Sequence, residues 1–299
     1  MSTGAGSRGR LAGLFGPLLR YGLLGLGAAL MVLPFVDMFL GALRTPAERL
    51  ARPPVYLSAD PQWWNFVRVF TELPAGTWLF NSVFVTLAIT AAQLLTSAMA
   101  GYALAKFRFP LRDTLFRTVL GAQMFPFFLF VIPIFVLMRY APLAGGNDLA
   151  GQGGSGLLGT YAALILPFAV SWYGIFLMRQ FMLNVPDDIL DAARMDGAGE
   201  ARIFFQIVLP LVAPGLATLA IFVFVYQWNE VIWTMTVTRS APELQTLPVG
   251  IYLMRGAFTD LSTQSLQQAA VAVSVLPVMI VFAFLQRFQA RGTTAGSGR

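Results

Sequence analysis

Residues 78–105 contain no Asp, Glu, Lys or Arg. A helix needs roughly 20 residues to cross about 30 Å of hydrocarbon, so this run alone is long enough to demand a bilayer as solvent. Five further stretches are comparable: 21–43, broken only by Asp37, then 118–138, 149–178 (apolar from near Leu157), 203–229 and 266–286. Charged residues make up only 11% of the chain and hydrophobic ones 57%, whereas a soluble domain carries about 25% charge. The expected fold is therefore all-α and integral to the membrane, with six transmembrane helices.

The first apolar run is too long for a secretory signal peptide, and no small-x-small cleavage site follows it. It reads as an uncleaved span. With the N-terminus inside, 13 Lys and Arg fall on inner segments and 7 on outer ones, which favours both termini in the cytoplasm. The short basic loop from Lys106 to Arg112 is the strongest single indicator. The expected division is a disordered N-terminus at 1–17 and a first span with its extracytoplasmic loop at 18–77. A transmembrane core at 78–288 and a cytoplasmic tail at 289–299 complete it. Residues 44–76, with Tyr56, Trp63, Trp64 and five prolines, read as an ordered interfacial segment. The Gly-rich stretch 144–156 reads as a flexible tether. Pro34, Pro126, Pro133, Pro167 and Pro277 fall within spans and are expected to kink them.

Several chemistries are excluded by what is missing. There is no Cys and no His, so thiolate metal sites, disulfides and the commonest general base are absent. No metal site and no cofactor is expected. The net charge of +6 comes from basic residues at the ends of apolar runs, which suits lipid head groups and not nucleic acid. No Gly-x4-Gly-Lys-Ser/Thr pattern occurs, so the chain is not expected to bind ATP itself.

The densest charge lies between the fourth and fifth spans, with seven charged residues from Asp187 to Arg202. Pro186 followed by Asp187 and Asp188 is a helix start. Ile189, Leu190 and Ala193 are expected on one face, and Gly197 supplies a left-handed stop. A second short helix should follow, with Ile203, Phe204, Ile207, Val208 and Leu211 on one side. Small residues at Ala192, Ala193, Gly197, Ala198 and Gly199 suit close approach of another protein. Periodicity alone leaves open whether this helix-turn-helix docks a partner or merely caps the bundle.

The spacing Asp191-Ala192-Ala193-x3-Gly197-x9-Ile207-x-Leu209-Pro210 resembles the EAA motif of ABC importer permeases, with Asp191 and Asp196 among its charged positions. The motif's first residue is Glu, so Asp191 keeps the charge with a shorter reach. Trp228-Asn229-Glu230, Leu247-Pro-Val-Gly250, the Gln286-Arg287-Phe288 ending, Asn81-Ser82 and Gly101-Tyr-Ala-Leu-Ala-Lys-Phe-Arg-Phe109 resemble the maltose-transporter G-subunit type, which imports oligosaccharides, polyols or sugar phosphates. The resemblance covers residue 20 onward. It implies that residues 184–210 dock on a cytoplasmic ATPase. The implied partners are a second homologous permease, two ATPase subunits and an extracytoplasmic solute-binding protein, all around membrane lipid.

Polar residues within spans suggest a pathway or an interhelical hydrogen bond. Asn81 and Gln93 read as packing groups, and Trp228, Asn229 and Glu230 as candidates for the translocation path. Two rivals stay open: a permease for peptides or other solutes, and an ion-coupled secondary transporter, for which only Asp37 is a plausible midplane site. A membrane-embedded enzyme has no residues with which to work.

Overall fold

The computed structural model describes residues 6–257 and 261–294, with side chains detailed over 19–255 and 263–287. Among the described residues every regular element is helical. The chain divides into two compact units, one holding Met1–Leu73 with Ala257–Val273 and the other Pro74–Gly256 with the remainder.

In the first unit, α1 (Gly6–Leu43) is helical from Gly6, inside the segment expected to be disordered. α2 (Pro46–Leu50) begins with a capping box, Thr45 Oγ1 accepting from Glu48 N while Thr45 N donates to the Glu48 carboxylate. These bonds satisfy two donors that helix geometry otherwise leaves orphaned. The same carboxylate accepts from Ser58 Oγ and Ala59 N, and Ser58 leads the causes that lower its pKa to about 2. α3 (Trp64–Thr71) is held to α1 by Asn65, which donates to Ala42 O at 2.8 Å. The segment 44–76 is thus ordered by hydrogen bonds within itself and to α1.

The second unit is built on α4 (Ala75–Lys106), an unbroken 32-residue helix. α5 (Arg112–Ala122), α6 (Val131–Arg139), α7 (Tyr161–Ile165) and α8 (Trp172–Leu183) follow. Then come α9 (Asp187–Met195), α10 (Glu200–Ile203), a π-helical segment Phe204–Val208, α11 (Leu209–Leu211) and α12 (Ala213–Trp228). α13 (Ile232–Val237) and α14 (Leu247–Ala257) come next, and α15 (Leu261–Thr294) divides between the two units after Val273. Among the described residues three helices are long and apolar enough to span alone, at Leu19–Leu43, Ala75–Lys106 and Thr263–Arg287. The other three expected spans are pairs bent by 97°, 47° and 77°.

The prolines explain these breaks only in part. Pro126 opens the 3-10 turn between α5 and α6, and Pro167 lies in the one between α7 and α8. Pro34 and Pro277 sit inside α1 and α15, and neither helix breaks there. A span can carry a proline where the freed backbone group finds another partner or relaxes locally.

The broken helices are repaired by side chains. Pro167 has no N–H for the carbonyl of Ala163, and Trp233 Nε1 donates to that carbonyl instead at 2.9 Å. Ahead of α8, Phe168 O accepts from Gln93 Nε2 at 2.6 Å and Ala169 O from Thr96 Oγ1 at 2.9 Å. In hydrocarbon an unpaired carbonyl costs several kcal/mol, so the polar stripe of α4 is what makes the bend sustainable. Asn81 does the same for a loop, donating to Glu243 O and Gln245 O and accepting from Tyr161 Oη. Asn81 and Gln93 are packing groups, as expected.

The Gly-rich stretch 144–156 is not a tether but a hydrogen-bonded loop. Buried Asn147 donates to Arg139 O and Ala141 O and accepts from Gly154 N. Asp148 accepts from Ala150 N and Gln152 N. Its glycines serve backbone shape: Gly145, Gly146, Gly151, Gly153 and Gly156 all have positive φ, which other residues adopt only at a steric cost.

Candidate functional site

α9 starts as its sequence dictates. Pro186 precedes it, and Asp187 and Asp188 face the positive end of the helix dipole while Arg194 sits in the last turn. It ends at Gly197, whose φ is +80°. There Ala198 N donates to Ala193 O and Gly197 N to Arg194 O, both at 3.0 Å, the paired closure of a Schellman motif. After this turn α10 runs on through the π segment into α11 and ends at a 77° bend before α12. Pro210 has no N–H for the carbonyl four residues back, and the helix ladder is already widened to π spacing just before it.

The inward face is narrower than periodicity suggested. Leu190 and Ala193 are buried, at 1% and 9% exposure, but Ile189 is 41% exposed. At about 100° per residue, Leu190 and Ala193 lie some 60° apart and Ile189 falls to the outside of that pair. On the second helix Ile203, Phe204 and Val208 are buried as expected and Ile207 half-buried, whereas Leu211 is exposed. Leu209 is half-buried and Pro210 exposed. The outward face of α9 shows Asp188, Asp191, Ala192, Met195 and Asp196, with Met195 88% exposed. The two adjacent alanines thus divide their roles: Ala193 lies against the protein and Ala192 faces out.

An ion pair and a hydrogen bond tie this element to α4. Lys106 Nζ donates to Asp187 Oδ1 and to Val185 O, both at 2.6 Å. Hydrogen bonding to Lys106, reinforced by its charge, holds the Asp187 carboxyl below its ordinary value. Tyr102 Oη donates to Glu200 Oε2 at 2.9 Å. Arg194 joins Glu200 Oε1 to Asp191 Oδ1, each at 2.8 Å. Its hydrogen bond to Glu200, and a smaller one to Asp191, raise the Arg194 pKa. On sequence Lys106 only marks the cytoplasmic side and Tyr102 only belongs to a family-like stretch, and neither is expected to hold the helix-turn-helix. Their signal was there: four residues apart they share a face at the basic end of an otherwise uncharged helix.

The second candidate set separates into different environments. Trp228 is 3% exposed, stacks on Phe224 and donates Nε1 to Ser274 O at 3.1 Å. Asn229 is exposed and donates to Val225 O. Glu230 caps α13, accepting from Trp233 N at 2.6 Å and from Thr234 N and Oγ1. Trp228 and Glu230 border a cleft of about 10 Å³ shared with Ser82, Thr86, Gln227 and Thr246. It holds about one water molecule, not a sugar.

Together the bent spans and the helix-turn-helix between them define a multi-pass, all-helical membrane protein. Residues 93–295 match the family described as binding-protein-dependent transport system inner membrane component, and the chain belongs to that family of ABC importer permeases. Membership makes it a transport subunit and not an enzyme, implies ATPase and binding-protein partners, and sets it in the inner membrane. The chain is 35% identical over 275 residues to the arabinooligosaccharides transport system permease protein AraQ of Halalkalibacterium halodurans, covering 90% of this chain and 91% of AraQ. It is 31% identical to the sulfoquinovosyl glycerol transport system permease protein SmoH of Agrobacterium fabrum, covering 99% of each. It is 30% identical to the sn-glycerol-3-phosphate transport system permease protein UgpE of Yersinia pestis, over 89% of this chain and 92% of UgpE. The fold matches a bacterial ABC transporter involved in the import of the acidic polysaccharide alginate, with a TM-score of 0.76 at 24% identity, covering 96% of this chain and 99% of that one.

Proposed function

We propose that this chain is one of two homologous permeases of an ATP-driven importer for a sugar-class solute: an oligosaccharide, a polyol derivative or a sugar phosphate. Two ATPase subunits lie on the cytoplasmic side, where both termini also lie, and a solute-binding protein lies outside. The substrate class rests on the relatives' arabinooligosaccharide, sulfoquinovosyl glycerol and glycerol-3-phosphate systems.

The observation that carries the coupling role is the outward face of α9. Ile189, Ala192 and Met195 form an exposed apolar strip at i, i+3, i+6 spacing, flanked by Asp188, Asp191 and Asp196. An apolar centre with a charged rim is the anatomy of a docking surface. Asp191, Ala192, Ala193, Asp196, Gly197, Ile207, Leu209 and Pro210 shape and support it. Trp228, Asn229 and Glu230 border this subunit's half of the path, and the second permease completes a volume that the small cleft here does not supply. The ion-gradient alternative is weakened at Asp37, which pairs with Arg44 at 2.9 Å.

Co-purification from the native membrane, followed by uptake into vesicles with the co-purified binding protein, tests the reading. Recovery of a P-loop ATPase and ATP-dependent uptake of a sugar-class solute supports it. ATP-dependent uptake of peptides alone overturns the substrate class. Uptake abolished by an uncoupler but indifferent to ATP overturns the mechanism.

A further inference from the structure

We infer that α4 is the strut that carries movement of the coupling loop across the membrane to the outer loop at 243–247, with Tyr102 and Lys106 as its positioning residues. This rests on the proposed docking of α9 to an ATPase. A load applied there has three routes into the membrane: backward into α8, forward into α12, or sideways into α4.

The forward route is bent by 77° and interrupted by the π segment, and the helix of the backward route is itself half of a pair bent by 47°. α4 is unbroken, and from Tyr102 to Asn81 it reaches about 32 Å at 1.5 Å per residue. Its inner end is fastened to both halves of the helix-turn-helix, Lys106 to Asp187 and Tyr102 to Glu200. The Tyr102 ring also packs on Phe204 at 5.4 Å.

The outer end is fastened as firmly. Asn81 holds the carbonyls of Glu243 and Gln245, at 2.7 and 2.9 Å. Ser82 Oγ accepts from Leu247 N at 2.8 Å, a buried bond that starts α14. A rigid helix fixed at both ends transmits axial displacement with little loss, because packed helices shift as bodies and do not deform continuously.

Hydrogen exchange on the assembled complex, with and without ATP plus vanadate, reads both ends of the strut. In the wild type, ATPase binding is expected to slow exchange across 187–197, and nucleotide is expected to change exchange in the 243–250 peptide, which contains the Leu247 amide. In Tyr102→Phe, and separately in Lys106→Met, protection of 187–197 should persist while the nucleotide response of 243–250 falls at least threefold. Tyr102→Phe keeps the ring contacts, so it isolates the hydrogen bond. An unchanged response in both variants, or no response in the wild type, overturns the strut. Absence of ATPase protection at 187–197 overturns the docking reading, and the strut with it, since the load then has no entry.

Discussion

Trp233 Nε1 donates to Ala163 O at 2.9 Å, the carbonyl that Pro167, four residues on, has no N–H to reach. The indole stands in for a missing backbone donor, and Trp233 is fully buried around it.

Trp233→Phe should therefore cost about 1–3 kcal/mol, the penalty of an unsatisfied buried acceptor, beyond any loss from the smaller ring. Pro167→Ala restores an N–H to the helix and should recover part of that loss in the double variant while doing little for the wild type. Thermal unfolding of the four proteins in detergent gives the coupling energy directly. Additive effects would show that the carbonyl is not what the indole serves.

Gly101 lies where α4 meets α8, and a Cβ there would stand 2.8 Å from Arg179 N and 2.9 Å from Met178 C. Both obstacles are backbone, so neither can turn aside. Gly101→Val should destabilise by about 1–3 kcal/mol through overpacking. Gly76→Ala, on the same helix with nothing within 4 Å, should be close to neutral. Melting temperatures of the two variants separate the packing effect from general intolerance of α4.

The three unbroken spans were legible to within about three residues at each end, because an uninterrupted apolar run has no rival reading. The bent ones were legible as apolar length only. A proline marks where a donor is lost, but whether the helix breaks depends on who answers the free carbonyl. For Pro167 the answer comes from Trp233, far along the chain, while Pro34 lies in an unbroken helix. Gly-rich 144–156 misled for a related reason: composition cannot distinguish glycine used for flexibility from glycine used for positive φ, and the deciding bonds come from one buried Asn147. In the site, motif spacing located α9 and its stop at Gly197. It missed Tyr102 and Lys106, whose partners lie about 80 or more residues away.

Gly197 has open space around it, with nothing within 4 Å of a Cβ, so a substitution there tests backbone conformation alone. A non-glycine residue in the left-handed region costs about 1–2 kcal/mol. Gly197→Ala should weaken the closure of α9 by that amount, and Gly197→Asn, which tolerates this conformation better, by less. ATPase recovery in pull-downs at increasing salt should follow the order Gly, Asn, Ala. Equal recovery by all three would remove the turn from the docking argument.

The pairing of Lys106 with Asp187 sets a pH dependence with a definite sign. Asp187 has a folded-state pKa below its ordinary value of 3.8, chiefly through its hydrogen bond to Lys106. A depressed carboxylate stabilises the fold fully above the unfolded value and loses that contribution as pH falls through the folded one. The wild type should therefore exceed Asp187→Asn in thermal stability by a constant margin from about pH 5.5 to 8. The margin should shrink below about pH 4, as the wild-type carboxyl takes up a proton and the two proteins become alike. Lys106→Met should show a much smaller pH-dependent margin over its own Asp187→Asn double variant, since the chief cause of the depressed carboxyl is gone and only the charges of Arg194 and Arg108 remain. A margin that instead widens on acidification would mean that Asp187 is stabilised in its protonated form, and that the lysine is not its partner in solution.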